Sequence, residues 1–121
     1  MTSSELNLKL TTSFPEIQDV YLEETSWQDG DETGSHVVYA DVFVPFIKEQ
    51  MPAQNESMLV KIFNYIEMLL GLNDAYANEV IALSVLESLL FDEEVDNKLL
   101  IQVSKEKTLL AIQEILQNLE A

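Results

Sequence analysis

From residue 55 onward the apolar residues recur at spacings of three and four, and this periodicity restricts the chain to a packing of amphipathic helices. Leu59, Ile62, Phe63, Ile66, Leu69 and Leu70 form one such stripe. Asn55 precedes it, with a side chain suited to accept from the free N–H groups of a first turn. Gly71 follows, at the position where a helix commonly ends in a left-handed cap. Asp74 then offers a second N-cap to a long helix through about Phe91. That helix carries Val80, Ile81, Leu83, Val85, Leu86, Leu89 and Leu90 around most of its circumference, as a central helix with several neighbours would. Asp92-Glu93-Glu94 interrupts the pattern. A short helix over 96–104 follows, bearing Leu99, Leu100 and Val103, with Lys105 and Lys107 placed where a helix C-terminus favours cations. A last helix over 107–120 is expected to bury Leu109, Ile112, Leu116 and Leu119, with Ile115 beside them.

The first half is less regular. Leu6, Leu8 and Leu10 alternate at period two between Ser3 and Ser13, yet Ser4-Glu5 also resembles a helix start. Phe14-Pro15-Glu16-Ile17 opens a helix, since proline is tolerated at the first helical position; Ile17, Val20 and Tyr21 form its stripe. Residues 25–35 hold two of the three glycines among Asp, Ser and Thr, and are expected to be a loop. Residues 36–50 are ambiguous. Their Val, Tyr and Phe content favours a strand, but Val38, Val42, Phe46 and Tyr39, Phe43, Ile47 also repeat helically. A lone strand has nothing to pair with elsewhere in the chain, so a helix kinked at Pro45 is expected. Short connections place consecutive helices antiparallel. The expected fold is all-α: one domain over 1–121, a bundle of five or six antiparallel helices or stacked αα-hairpins, its core best defined over 36–120.

Charge bears on partners. Twenty-two acidic residues face six lysines and no arginine, for a net −16. Such a surface cannot displace counterions from nucleic acid or anionic membranes, so neither is an expected partner. It would accelerate encounter with a basic protein. There are no cysteines, which excludes disulfides and thiolate metal sites. No apolar run approaches the roughly 20 residues of a membrane span, and the opening MTSSELNLKL lacks a signal peptide's basic and apolar regions. A cytoplasmic location is expected.

Motifs for catalysis are missing. His36 is the sole histidine, and Asp41, five residues on, is not at the i, i+4 spacing that places two ligands on one helical face, so a loop-end histidine is the expectation. The acidic loop Asp29-Gly30-Asp31-Glu32 departs from the EF-hand pattern. With no cysteine and one histidine lacking a motif around it, no nucleophile–base arrangement can be argued from the sequence, and no phosphate-binding or metalloprotease motif occurs. No metal or cofactor is therefore expected. Three acids do interrupt apolar stretches: Asp41, Glu67 and Glu87. Ser84, Glu87 and Ser88 share one helical face and would form a narrow polar strip. These residues, with Trp27, Asp29, Asp31 and Glu32 of the acidic loop, are the candidate partner-binding set.

FPEI at 14–17, HVVYADVFVPFI at 36–47, KIFNYIEML at 61–69, EVIALSVLESL at 79–89 and KTLLAIQEI at 107–115 together resemble a family of small, uncharacterised bacterial helical proteins of unknown function. The resemblance spans most of the chain, implies helix over 36–51 and carries over no catalytic residue. In size and acidity such proteins are similar to immunity-type proteins that neutralise toxins. The functional expectation is a non-catalytic module that binds a basic protein, with a self-associating structural protein as the alternative and a carboxylate-based metal hydrolase ranked last.

Overall fold

The computed structural model describes residues 1–26 and 33–120 of the chain, and among these it contains seven helices and no strand. The all-α expectation holds, with one or two more helices than anticipated. Helix α1 (Ser3–Ser13) resolves the first ambiguity in favour of helix. Thr2 and Glu5 form a reciprocal capping box: the Glu5 N–H donates to the Thr2 hydroxyl, and the Thr2 N–H to the Glu5 carboxylate. A 3₁₀ turn (Pro15–Ile17) leads into α2 (Gln18–Thr25). Ile17 and Tyr21 are buried there as expected, but Val20 is exposed.

Helix α3 (35–50) runs through Ser35–Val38, Tyr39–Phe43 and Val44–Gln50. Its middle is widened to π geometry, with the Val44 N–H donating to the Tyr39 carbonyl five residues back. In a regular helix the Pro45 ring would crowd the carbonyl of Asp41, and the widened turn just ahead of it lets the helix continue. Helix α4 (Glu56–Gly71) has Asn55 as its N-cap, accepting from the Met58 N–H. Gly71 is not a left-handed cap: it is the last helical residue, and Asn73 takes the positive φ of 56° in the turn. Helix α5 (75–90), built of Ala75–Glu79, Val80–Leu86 and Glu87–Leu90, starts from the Asp74 N-cap. Its middle is also π-widened, with the Glu87 N–H bonded to the Ala82 carbonyl, although no proline marks the stretch. The widened segments of α3 and α5 pack against each other. Helices α6 (Asn97–Val103) and α7 (Glu106–Glu120) complete the fold.

Consecutive antiparallel helices have a consequence for α3 and α5. Helix α4 returns between them in sequence, so they run parallel. His36 meets Ser84 near one end, and Lys48 meets Asp92 at the other. Helix α1 is parallel to them as well, with Ser3 beside Ser35, Leu6 beside Tyr39 and Phe14 beside Phe43. The core fills the space between these three helices and α4. Phe14, Phe43 and Tyr65 meet with ring centroids 5.3–5.8 Å apart, mostly edge to face. The Tyr39 hydroxyl donates to the Leu6 carbonyl at 2.8 Å, which leaves the Tyr65 hydroxyl to donate to Tyr39 at 2.7 Å. Burial raises both phenols above their ordinary range, so the pair stays neutral.

Two expected faces are corrected. Leu83 is half exposed, so α5 is open to solvent on one side. On α7 the buried residues are Thr108 and Ile112, with Ala111 and Ile115 partly covered, while Leu109, Leu116 and Leu119 are exposed. The stripe is present, but the helix is rotated about its axis by its anchor at Glu67, described next.

Candidate functional site

Glu67 lies on α4 at the edge of its apolar stripe. Its carboxylate accepts from the N–H of Lys107 at 2.8 Å, and from the N–H and hydroxyl of Thr108 at 3.0 Å each. A carboxylate at the positive end of α7 satisfies donors that the helix cannot satisfy itself. Burial pushes the Glu67 carboxyl up, but these donors and the Lys107 charge outweigh it, and the net direction is down. Glu67 is therefore a cap in trans, a structural role.

Ser84 is buried, and its hydroxyl sits 2.6 Å from His36 Nδ1, joining α5 to the first turn of α3. The polar strip expected on α5 is thus divided: Ser84 faces α3, Glu87 is half-buried, and Ser88 is exposed. His36 is not a loop-end residue either, because it lies inside α3 and packs edge-on against Tyr76 at 5.8 Å. Around it the N-terminal ends of α1, α3 and α5 are tied by a polar network. Asn7 donates to the Thr33 carbonyl at 2.7 Å and accepts from the Ser35 hydroxyl at 2.8 Å; Ser3 and Tyr76 share a 2.7 Å bond, and both accept from the Ser35 N–H. Sequence reasoning missed this network. The one available signal was a polar Asn7 beside the leucines of α1.

The opposite end of the bundle is concave. Between the start of α4 and α6 lies a groove of about 690 Å³, floored by Met51, Leu59, Val60, Leu99 and Val103. Glu56, Glu94 and Asp96 stand on its rim against a single cation, Lys105. A second depression of about 500 Å³, between α3 and the end of α5, shares Met51, Pro52 and Glu94 with the first, so the two form one continuous surface. In the second, Lys48 Nζ is 2.6 Å from Asp92 Oδ2 and 3.4 Å from Glu94 Oε2. The Asp92 carboxylate beside it holds the Lys48 ammonium above its ordinary range, and Lys48 in turn holds the Asp92 carboxyl below its own.

Of the sequence-selected residues, Asp41 is exposed and its side chain makes no hydrogen bond or ion pair among the described residues. Glu67 is committed to α7 and Ser84 to His36, and among the described residues no hydrogen bond or shared partner joins Asp41, Glu67 and Glu87. Trp27, Asp29, Asp31 and Glu32 lie outside the described residues. The groove residues were not selected, because they come from two separate helices, α4 and α6, and the three connecting segments beside them. Among the described residues no cluster of three or more His, Asp or Glu could hold a metal ion, and no helix is long and apolar enough to cross a membrane.

The model of a family described as a domain of unknown function (DUF7674) matches residues 7–119. The chain belongs to the DUF7674 family. No curated protein and no solved structure matches it. The DUF7674 match takes in both ends of the bundle, the polar network from Asn7 onward and the whole groove. It agrees with the five helical segments belonging to a family of unknown function.

Proposed function

We propose that this DUF7674 protein is a non-catalytic binding module that receives a basic partner protein in the groove between α3, α4 and α6, and that it works in the cytoplasm. The observation that carries the reading is the combination of an apolar floor with an acidic rim in a chain of net −16. Apolar burial supplies affinity, and the carboxylates select a cationic partner and speed its approach. Size and charge suit an inhibitor of immunity type that occludes a cationic surface. Isothermal titration with a synthetic amphipathic peptide rich in leucine and lysine tests it. Binding should weaken several-fold between low salt and about 0.15 M, where the screening length is about 8 Å; binding indifferent to salt, or absent at low salt, contradicts it.

A second reading rests on α7. Leu109, Leu110, Leu116 and Leu119 are exposed on a helix that carries only Glu114 as a charged residue between Thr108 and Leu119. This favours a self-associating protein whose acidity serves solubility. Sedimentation over a range of concentrations separates the two, since a strict monomer excludes the second.

A further inference from the structure

Among the described residues Lys48 is the only lysine lining the second depression, and it stands between two carboxylates of that depression, Asp92 and Glu94, of which Glu94 also stands on the groove's rim. Asp92 is positioned: its carboxylate accepts from the Glu94 N–H at 2.9 Å. Glu94 is 82% exposed on its side chain and makes the longer, weaker contact, so part of the acidic pair remains open to an external cation. Lys48 and Asp92 are half-buried, whereas the Lys48–Glu94 contact opens to water, and ion pairs open to water contribute little to folding because water screens them and long side chains lose freedom in forming them. An ammonium arriving on a partner can exchange with that of Lys48, because the incoming cation restores the pairing with Asp92 and Glu94. The occupant's backbone is also constrained. The groove is built from helices and turns, and the described residues offer no strand edge along which an extended peptide could pair. A helical segment satisfies its own backbone and needs only side-chain pockets.

Resting on the binding-module reading above, we propose that Asp92 and Glu94 form the cation subsite of the groove. In the free protein Lys48 fills it; on binding, a lysine or arginine of an amphipathic helical segment takes Lys48's place while the segment's apolar stripe covers Met51, Val60 and Leu99.

The probe is a leucine–lysine peptide of about 18 residues, long enough to hold a helix, with leucines at i, i+3, i+4 and i+7. Its control is a scrambled peptide of the same composition. Affinities are measured by fluorescence anisotropy at about 0.15 M salt. Wild-type protein should bind the amphipathic peptide about tenfold more tightly than the scrambled one, and V60D should abolish the difference. K48M, which removes the internal competitor and keeps the apolar stem, should tighten binding about threefold, and E94Q should weaken it about threefold. K9M makes the same charge change on α1 and should leave affinity unaltered. No discrimination between the peptides defeats the binding-module reading itself. Discrimination that V60D removes, but that K48M and E94Q leave untouched or that K9M alters as much as K48M, leaves the reading standing and overturns the subsite.

Discussion

Replacing Glu67 with alanine should detach the first turn of α7 from α4. The substitution removes a charged acceptor from three donors, and hydrogen bonds to charged groups contribute about 1.5–3 kcal/mol each, less where water can substitute. We expect E67A to lower unfolding stability by about 2 kcal/mol, read from the urea midpoint, with E67Q intermediate because its amide oxygen still accepts. Tyr39→Phe should cost about 1–3 kcal/mol, since it removes the second donor to the Leu6 carbonyl and leaves the Tyr65 hydroxyl without its acceptor in the core. Unchanged midpoints would contradict these roles. Glu67 and Ser84 drew notice in the sequence as polar residues inside apolar stretches, and both proved to hold specific bonds. Their partners lie 40 or more positions away, Lys107 and Thr108 for one and His36 for the other. Helical spacing reports neighbours three and four apart and nothing at that range, so the sequence could mark these residues but not their purpose.

The same limit appears in the helices, with a different cause. Caps at Asn55 and Asp74 were legible, because a cap bonds to its own helix within three residues. The stripe of α4 was legible because that helix is packed along its full length. On α7 the stripe was read correctly as a pattern and wrongly as a buried face. The Glu67 anchor turns Thr108 and Ile112 to the core and leaves the leucines at the margin. Mutational cost should follow the structure: Ile112→Ala should lower stability by about 2–4 kcal/mol, while Leu119→Ala, 61% exposed, should change it by less than about 0.5 kcal/mol. Equal effects in thermal unfolding would restore the simple stripe. The π-widened turn before Pro45 has a local cause in that residue, whereas its counterpart in α5 has none in the sequence and is visible only where the two helices meet.

Over the whole molecule, charge and shape combine at one end of the bundle. The stability profile should reflect the bound carboxyls. Hydrogen bonds from Thr2 to Glu5, from the Met1 ammonium to Asp74 and from Lys48 to Asp92 hold those groups below their ordinary values, as the α7 donors hold Glu67. The unfolded chain then takes up protons at higher pH than the folded one, so their stabilisation is complete above about pH 5 and is lost as pH falls through the folded values. The Met1 ammonium, bonded to Asp74, and Lys48, bonded to Asp92, are raised instead. Their contribution is complete below their ordinary values of 8.0 and 10.5 and is lost as pH rises beyond the folded ones. Thermal unfolding should therefore show a plateau from about pH 5 to 8 with a fall on either side; stability that keeps rising down to pH 3 would contradict the bonding described. The groove itself was invisible in the sequence, since its floor is assembled from α4, α6 and the turn after α3, and its rim from acids that look like a solvated surface. The most direct test of its role is an amide NMR titration with the leucine–lysine peptide. The groove predicts saturable shifts concentrated at Met51, Val60, Glu94, Leu99 and Val103, with α7 unaffected; shifts spread evenly over the acidic surface, or centred on Leu110 and Leu116, would contradict it.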